Sequence, residues 1–195
     1  MMRTIIATDF DGTLTTADTL LEFIRYAKGS VRCLAGFLLY SPFIVLMMLK
    51  MYPNWKAKQK IFSHFFRGMT IDSFNVLCHD FAKDNRHLLR QGGLEMMDKA
   101  KADGTEVVIV SASIDNWVQP FFPETKVLGT QIEVVDGIVT GRFLSKNCYG
   151  KEKVNRLLEI FPDRNSYRLV AYGDSGGDRA MLAFADESHF KPWRQ

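Results

Sequence analysis

The chain is poor in cysteine: Cys33, Cys78 and Cys148 stand far apart in 195 residues, with no CxxC pair and no metal-ligand spacing. An odd, scattered set of this kind argues against a disulfide framework and a structural zinc site, and fits a reducing compartment. The N-terminus, MMRTIIATDF, lacks the apolar run followed by small residues of a secretory leader, so the cytoplasm is the expected location. Internal repeats and low-complexity linkers are missing as well. Net charge is only +3, too small to imply nucleic acid, and no nucleic-acid partner is expected. Apolar residues make up 47% and charged residues 24%, a balance that excludes disorder and suffices for one domain or a core plus an insert.

The most informative shortage is local. Between Phe23 and Ile71 there is no Asp or Glu, yet there are eight Lys or Arg. Inside that block, Cys33 to Leu49 form 17 residues without any charge, CLAGFLLYSPFIVLMML. Two readings of the basic block stay open: a solvated basic face, or a surface for an anionic partner such as the anionic face of a membrane. A spanning helix needs about 20 residues, and Pro42 is expected to break or kink this one. A single crossing would also put Asp9 and the later acidic motifs on opposite sides of a bilayer. The run is therefore expected to be a helical hairpin, either buried in a helical layer, the favoured reading, or dipping into the membrane interface.

What is present reads as alternating strands and helices. RTIIATDF, EVVIVSAS (106–113) and RLVAYGD (168–174) are apolar runs that end in small or acidic residues, as strands of a covered parallel sheet do. A weaker strand precedes a hairpin in KVLGTQIEVVDGIVTGRF, where Asp136-Gly137 marks the turn, and HFKPW reads as a last edge strand. Helices are expected over 93–104, over 150–161, and over 178–186 with Asp178 as its cap. Residues 16–91 carry helical patterns only. The expected architecture is an open α/β sheet made by 1–15 and 92–195, with an all-helical cap, 16–91, inserted after the first strand.

Open α/β sheets bind ligands at the carboxyl ends of their strands, where DFD, SAS and GDSGGD all fall. Asp9, Asp11, Asp174 and Asp178 thus bring four carboxylates to one edge. So many like charges need a cation, and oxygen ligands with open positions suit Mg²⁺, which also binds substrate phosphate. With that cation, Asp9 can attack phosphorus as a carboxylate nucleophile, and Asp11 can protonate the leaving oxygen and then activate water. Gly12 permits a tight turn, and the Gly12 and Thr13 amides are candidates to face the phosphate. Ser111 and the Ala112 amide are further phosphate contacts. A Lys at the start of the 150–161 helix, Lys151 or Lys153, neutralises charge there.

These residues resemble the haloacid dehalogenase superfamily of phosphohydrolases, whose four motifs occur in order as DFDGTLT, VVIVS ending at Ser111, the Lys of NCYGKEKV, and GDSGGD. The resemblance implies a three-layer Rossmann-like core with a mainly parallel sheet and a C1-type cap. It implies magnesium on the Asp9 carboxylate, the Asp11 carbonyl and the Asp174 carboxylate, with Asp178 behind them or as a further ligand. An acid at position 11 points to a phosphatase or phosphotransferase, and Cys148, Gly150 and Lys153 fit the pattern of the phosphoserine phosphatase-like branch (subfamily IB). That branch carries a Glu where Asp18 stands here, and Asp18 reads better as a helix N-cap. The apolar, basic cap is similar instead to the phosphatidylglycerophosphatase C family, which implies a lipid or glycerol-type phosphomonoester at the inner membrane face. A small soluble substrate such as phosphoserine is the alternative, and a non-catalytic membrane-binding protein on the same scaffold is a third reading that the intact motifs disfavour.

Overall fold

A computed structural model describes residues 3–194. Its centre is β1 (Arg3–Thr8), in which Ile5, Ala7 and Thr8 are buried and Thr4 and Ile6 half-buried, and which pairs in parallel with β2 (Glu106–Ile114) and β6 (Tyr167–Gly173). With β3 (Lys126–Thr130) and β7 (Glu187–Phe190), these form one parallel sheet in the order β3-β2-β1-β6-β7. The chain winds from β1 outward to β3, then returns to build β6 and β7 on the other side. The order reverses between β1 and β6, and a crevice opens there at the strand ends. The fold is α/β with a Rossmann-like parallel sheet, as expected. The edge strand lies earlier than HFKPW: after Phe190 the chain turns at Lys191, which has a positive φ, and Trp193 folds back to stack on Tyr172.

Helices α1 (Thr19–Lys28), α2 (Ser30–Met48), α3 (Asn54–Phe66) and α4 (Ile71–Asp84) follow β1 without a strand between them. They are joined to the sheet by two chain segments that pair with each other. Thr15 bridges Leu89, Thr16 N–H donates to the Leu88 carbonyl, and Arg90 N–H donates to that of Leu14. Asp18 caps α1 by accepting from the Leu20 N–H at 3.0 Å. Helix α5 (Gln91–Ala102) begins at the last residue of the expected cap and leads into β2. After it come α6 (Asp115–Val118), the hairpin β4 (Ile132–Val135) and β5 (Ile138–Phe143), α7 (Lys151–Ile160) and α8 (Arg179–Phe184). Asp136 and Gly137, both with positive φ, make the hairpin turn.

The cap shares its hydrophobic core with the sheet layer. Phe23 of α1 stacks on Trp117 of α6 at 4.9 Å and meets Phe66, Phe74 and Phe81 edge-on or tilted. Phe10 joins the same cluster from below through Phe121. The hairpin also packs on the cap, with the Gly68 N–H donating to the Val139 carbonyl and the Phe143 N–H to Gln59.

The uncharged run corrects the expectation made for it. It is a single straight-through helix, α2, and it is largely exposed: only 11% of its apolar window is buried. Cys33 and Gly36 anchor it, and a Cβ on Gly36 would fall 2.2 Å from the Phe65 ring, so glycine is what lets α3 come this close. Pro42 lies inside the helix and does not break it. The carbonyl it strands, that of Leu38, accepts instead from the Ser41 hydroxyl at 2.8 Å.

Because cap and sheet share one aromatic core, Phe23→Ala is expected to cost about 3–5 kcal/mol and to lower the midpoint of a single cooperative urea transition. A first transition confined to the cap helices, with the sheet intact, would contradict the shared core.

Candidate active site

The crevice between β1 and β6 opens into a cavity of about 510 Å³ whose floor is the strand ends and whose roof is the cap. Asp9 follows β1 directly and its N–H donates to the Tyr172 carbonyl of β6, which fixes it on the switch point. Beneath it lies Lys153, one turn into α7 and 1% exposed. Its ammonium donates to Asp9 Oδ1 (2.6 Å), Asp178 Oδ1 (2.6 Å) and the Val110 carbonyl (2.7 Å). Burial works against that charge, but the two carboxylates overcome it and hold the lysine protonated. Lys151, by contrast, is exposed at the helix start.

Asp178 does not cap α8 with its side chain. Its other oxygen, Oδ2, accepts from the Asp174 and Ser175 N–H groups and the Ser175 hydroxyl at 2.8–3.1 Å. It therefore ties the loop after β6 to Lys153. Burial pushes its pKa up, yet Lys153 and the Ser175 hydrogen bonds outweigh that and hold it below the usual carboxylate range. With both its oxygens engaged, Asp178 leaves Asp9 and Asp174 as the carboxylates with capacity for a cation. The three groups offer ligand oxygens within 4.8 Å of one another. Burial raises Asp9 to about 7 and also lifts Asp174, so the pair is short of positive charge. This hard-oxygen set fits Mg²⁺. The Arg194 guanidinium, brought over by the turn after β7, pairs with Asp174 and supplies part of the missing charge.

Asp11 points elsewhere. Its carboxylate lies outside the cluster of the other three aspartates and faces the cap junction. Oδ1 accepts from the Thr19 N–H (2.7 Å) and hydroxyl (2.6 Å), at the N-terminus of α1, while the Ser113 hydroxyl donates to Oδ2. The Trp117 indole N–H in turn donates to the Thr19 hydroxyl. Burial raises the Asp11 pKa, helped by the Asp18 charge and opposed by these hydrogen bonds and by Lys58. A carboxyl raised in this way is suited to carry a proton.

Gly12 has φ +74°, and a Cβ there would strike Asp174 Oδ2, so the turn demands glycine. Its N–H, expected to face phosphate, donates instead to the Thr15 hydroxyl at 3.2 Å. The Thr13 hydroxyl sits between Asp9 and Asp174 at 3.4 and 3.5 Å. Ser111 and Ala112 line the cavity, and Ser111 Oγ accepts from the Ser113 N–H, which leaves its own proton free to donate. Sequence reasoning missed Thr19, Ser113 and Arg194, together with Asn54 and Lys58 on α3. Ser113 alone had a signal, its place two residues beyond Ser111 on the same strand. The others reach the cavity through tertiary packing. Asn54 Oδ1 is, among the described residues, the buried side-chain oxygen without a hydrogen-bond partner, and Asn54 and Lys58 both line the cavity.

A family model for haloacid dehalogenase-like hydrolases matches residues 6–183. The chain belongs to that family. Within it, the chain is 34% identical to Protein CicA of Caulobacter vibrioides (strain NA1000 / CB15N), over 97% of this chain and 86% of that relative. Among solved structures of the hydrolase fold, a protein of unknown function from Bordetella pertussis Tohama I superposes with a TM-score of 0.80 at 16% identity, covering 96% of this chain and 89% of that one. A phospho-aspartyl intermediate analogue of phosphoserine phosphatase superposes with a TM-score of 0.62 at 20% identity, covering 96% and 86%.

If Asp9 and Asp174 hold a divalent cation, millimolar Mg²⁺ raises the melting temperature of the wild-type protein in calorimetry, because a ligand of the folded state stabilises it by mass action. Asp174→Asn is expected to abolish the shift while leaving the fold intact. An equal shift in the variant would move the cation elsewhere.

Proposed function

We propose that the chain is a magnesium-dependent phosphomonoesterase that works through an aspartyl-phosphate on Asp9. The observation that carries this reading is the division between its first two aspartates. Asp9 is paired with Lys153 at the switch point, where that ammonium opposes the burial that lifts its pKa, while Asp11, two residues on, faces the cap with a raised pKa. Asp9 attacks phosphorus and the bond to the ester oxygen breaks as Asp11 gives that oxygen its proton. Asp11, now a carboxylate, takes a proton from water as the water attacks phosphorus, and the Asp9–phosphorus bond breaks to release phosphate. Lys153 offsets charge on Asp9 throughout, and Ser111 is placed to donate to a phosphoryl oxygen. Magnesium on Asp9, Asp174 and the main chain of Asp11 would supply electrostatic stabilisation of the phosphoryl oxygens.

The roof of the cavity suggests the leaving group. Phe37, Ile44 and Met47 of α2 and Ile61 of α3 make it apolar, with Asn54 and Lys58 as its polar groups. A lipid or glycerol-type phosphate suits this lining, with a hydroxyl for the unpartnered Asn54 oxygen, a further anionic group for Lys58 and apolar chains against α2. On this reading the enzyme works on the cytoplasmic side, at the inner face of the membrane. A second reading, a soluble amino-acid phosphate such as phosphoserine, is favoured by Asp18 and Lys58 both lining the cavity, one charge for each end of the substrate. Against it, Asp18 Oδ1 is already committed to capping α1.

A Mg²⁺-dependent screen of phosphoserine, glycerol phosphates and phosphatidylglycerophosphate decides the substrate class: highest kcat/KM is expected for the lipid, and a preference for phosphoserine would transfer the proposal to the second reading. Asp9→Asn should show no turnover. In the first turnover, before water enters, Asp11→Asn should slow release of the leaving group about 10²-fold or more for alkyl phosphates and far less for p-nitrophenyl phosphate, whose leaving group needs no proton. Equal losses on both would remove Asp11 as the acid.

A further inference from the structure

We propose that the outer face of α2 is a membrane-docking surface that seats the protein on an anionic bilayer, with the helix lying along the interface. Helix α2 carries apolar residues all round. Its inner side is taken up by the buried Cys33, by Gly36 against Phe65 of α3, and by the cavity wall. Its outer side is a stripe formed by Val31, Leu34, Leu38, Pro42, Val45 and Leu49, at the three- and four-residue spacing of one helix face. The aliphatic side chains of that stripe are 52–83% exposed. Leu39 and Met48 widen it. An unbroken apolar stripe along a helix of about 28 Å marks an interaction surface and not ordinary surface scatter.

The rim of the stripe specifies the partner. Lys28 and Arg32 lie beside Ala35 and Leu39 at one end. Lys60 sits over the Phe43 ring at 4.7 Å on the flank. Lys50 closes the other end, followed by the half-exposed Trp55 with Lys56 5.5 Å from its ring centroid. No acidic residue occurs anywhere from Phe23 to Ile71. An apolar helix face ringed by cations, with a tryptophan at the margin, matches the apolar boundary and negative headgroups of an anionic leaflet. A second copy is the poorer fit, because two-fold pairing would press the same cationic rims together.

The helix lies on the surface and does not cross it. Strands β1 and β2 precede and follow the cap yet pair side by side in one sheet, so both ends of the segment stay on one side. Docking in this pose also turns the helix that forms the cavity roof toward the lipid. The consequence for substrate entry rests on the lipid reading above, whereas the docking itself does not.

The test is flotation of the full chain with phosphatidylcholine–phosphatidylglycerol vesicles, read by protein mass and not by turnover. Wild-type protein should float with the mixed vesicles at low salt, and much less with phosphatidylcholine alone or at high salt. L34E/L38E, which changes only the outer face, should reduce the bound fraction at least tenfold. Its Mg²⁺-dependent hydrolysis of p-nitrophenyl phosphate and its melting temperature should stay as in wild type. Wild-type protein left in the soluble fraction, a variant that floats equally well, or a stable wild-type dimer that the variant splits would each overturn the proposal. Flotation without phosphatase activity would sink the catalytic reading and leave the docking surface standing.

Discussion

The buried ammonium of Lys153 is the interaction on which the site depends. It lies 2.6 Å from both Asp9 and Asp178, in a place where none of the three charges meets bulk water. Taking any one of them away would strand the others, and uncompensated buried charge is among the most destabilising features a fold can carry. The clamp joins the end of β1, the start of α7 and the loop after β6, with Asp9 and Lys153 separated by 144 residues and Asp178 a further 25 along the chain. Through Asp178 it also sets the Ser175 turn and so the position of Asp174. One lysine thus orders Asp9 and the loop that presents the Asp174 carboxylate.

The second constraint is the junction of cap and sheet. Asp11 is held from above by Thr19, the first residue of α1, and from the side by Ser113 of β2. Trp117 touches both levels, donating to Thr19 and stacking on Phe23. The Asp11 carboxyl is therefore gripped by the same contacts that hold the cap down. A shift of α1 would change the hydrogen bonds that oppose its raised pKa, so the position of the cap and the protonation of Asp11 are physically linked.

Helix α2 has two unlike sides. Its inner residues finish the cavity roof, and its outer residues would be an aggregation liability in water unless something covers them. Where an exposed helix face ordinarily carries polar groups, this one keeps leucine and valine and confines charge to the rim. Pro42 fits the same picture. The Ser41 hydroxyl takes over the stranded Leu38 carbonyl, so the stripe continues past a residue that normally interrupts a helix.

The sequence by itself determined the parallel α/β core, the insertion point of the cap, the hairpin turn and the acidic strand ends, because each depends on local pattern: apolar runs of strand length, turn residues, and aspartates where those runs stop. Asp18 as a cap was within reach for the same reason, being tied to a helix start, whereas local pattern did not separate Lys153 from Lys151 and only the family's Cys-x-Gly-x-x-Lys spacing favoured the former. Tertiary structure decided what local pattern does not encode. It showed that Asp178 reaches back to the loop and not forward into α8, that the Gly12 amide is already used, and that Asn54, Lys58 and Arg194 enter the cavity from segments without any motif. It also reversed the expectation for 33–49. Composition reports that a helix is apolar all round, but whether its outer face meets protein is settled by how many neighbours the chain can bring to it. Here α3 and the cavity cover one side, and no other segment among the described residues covers the second.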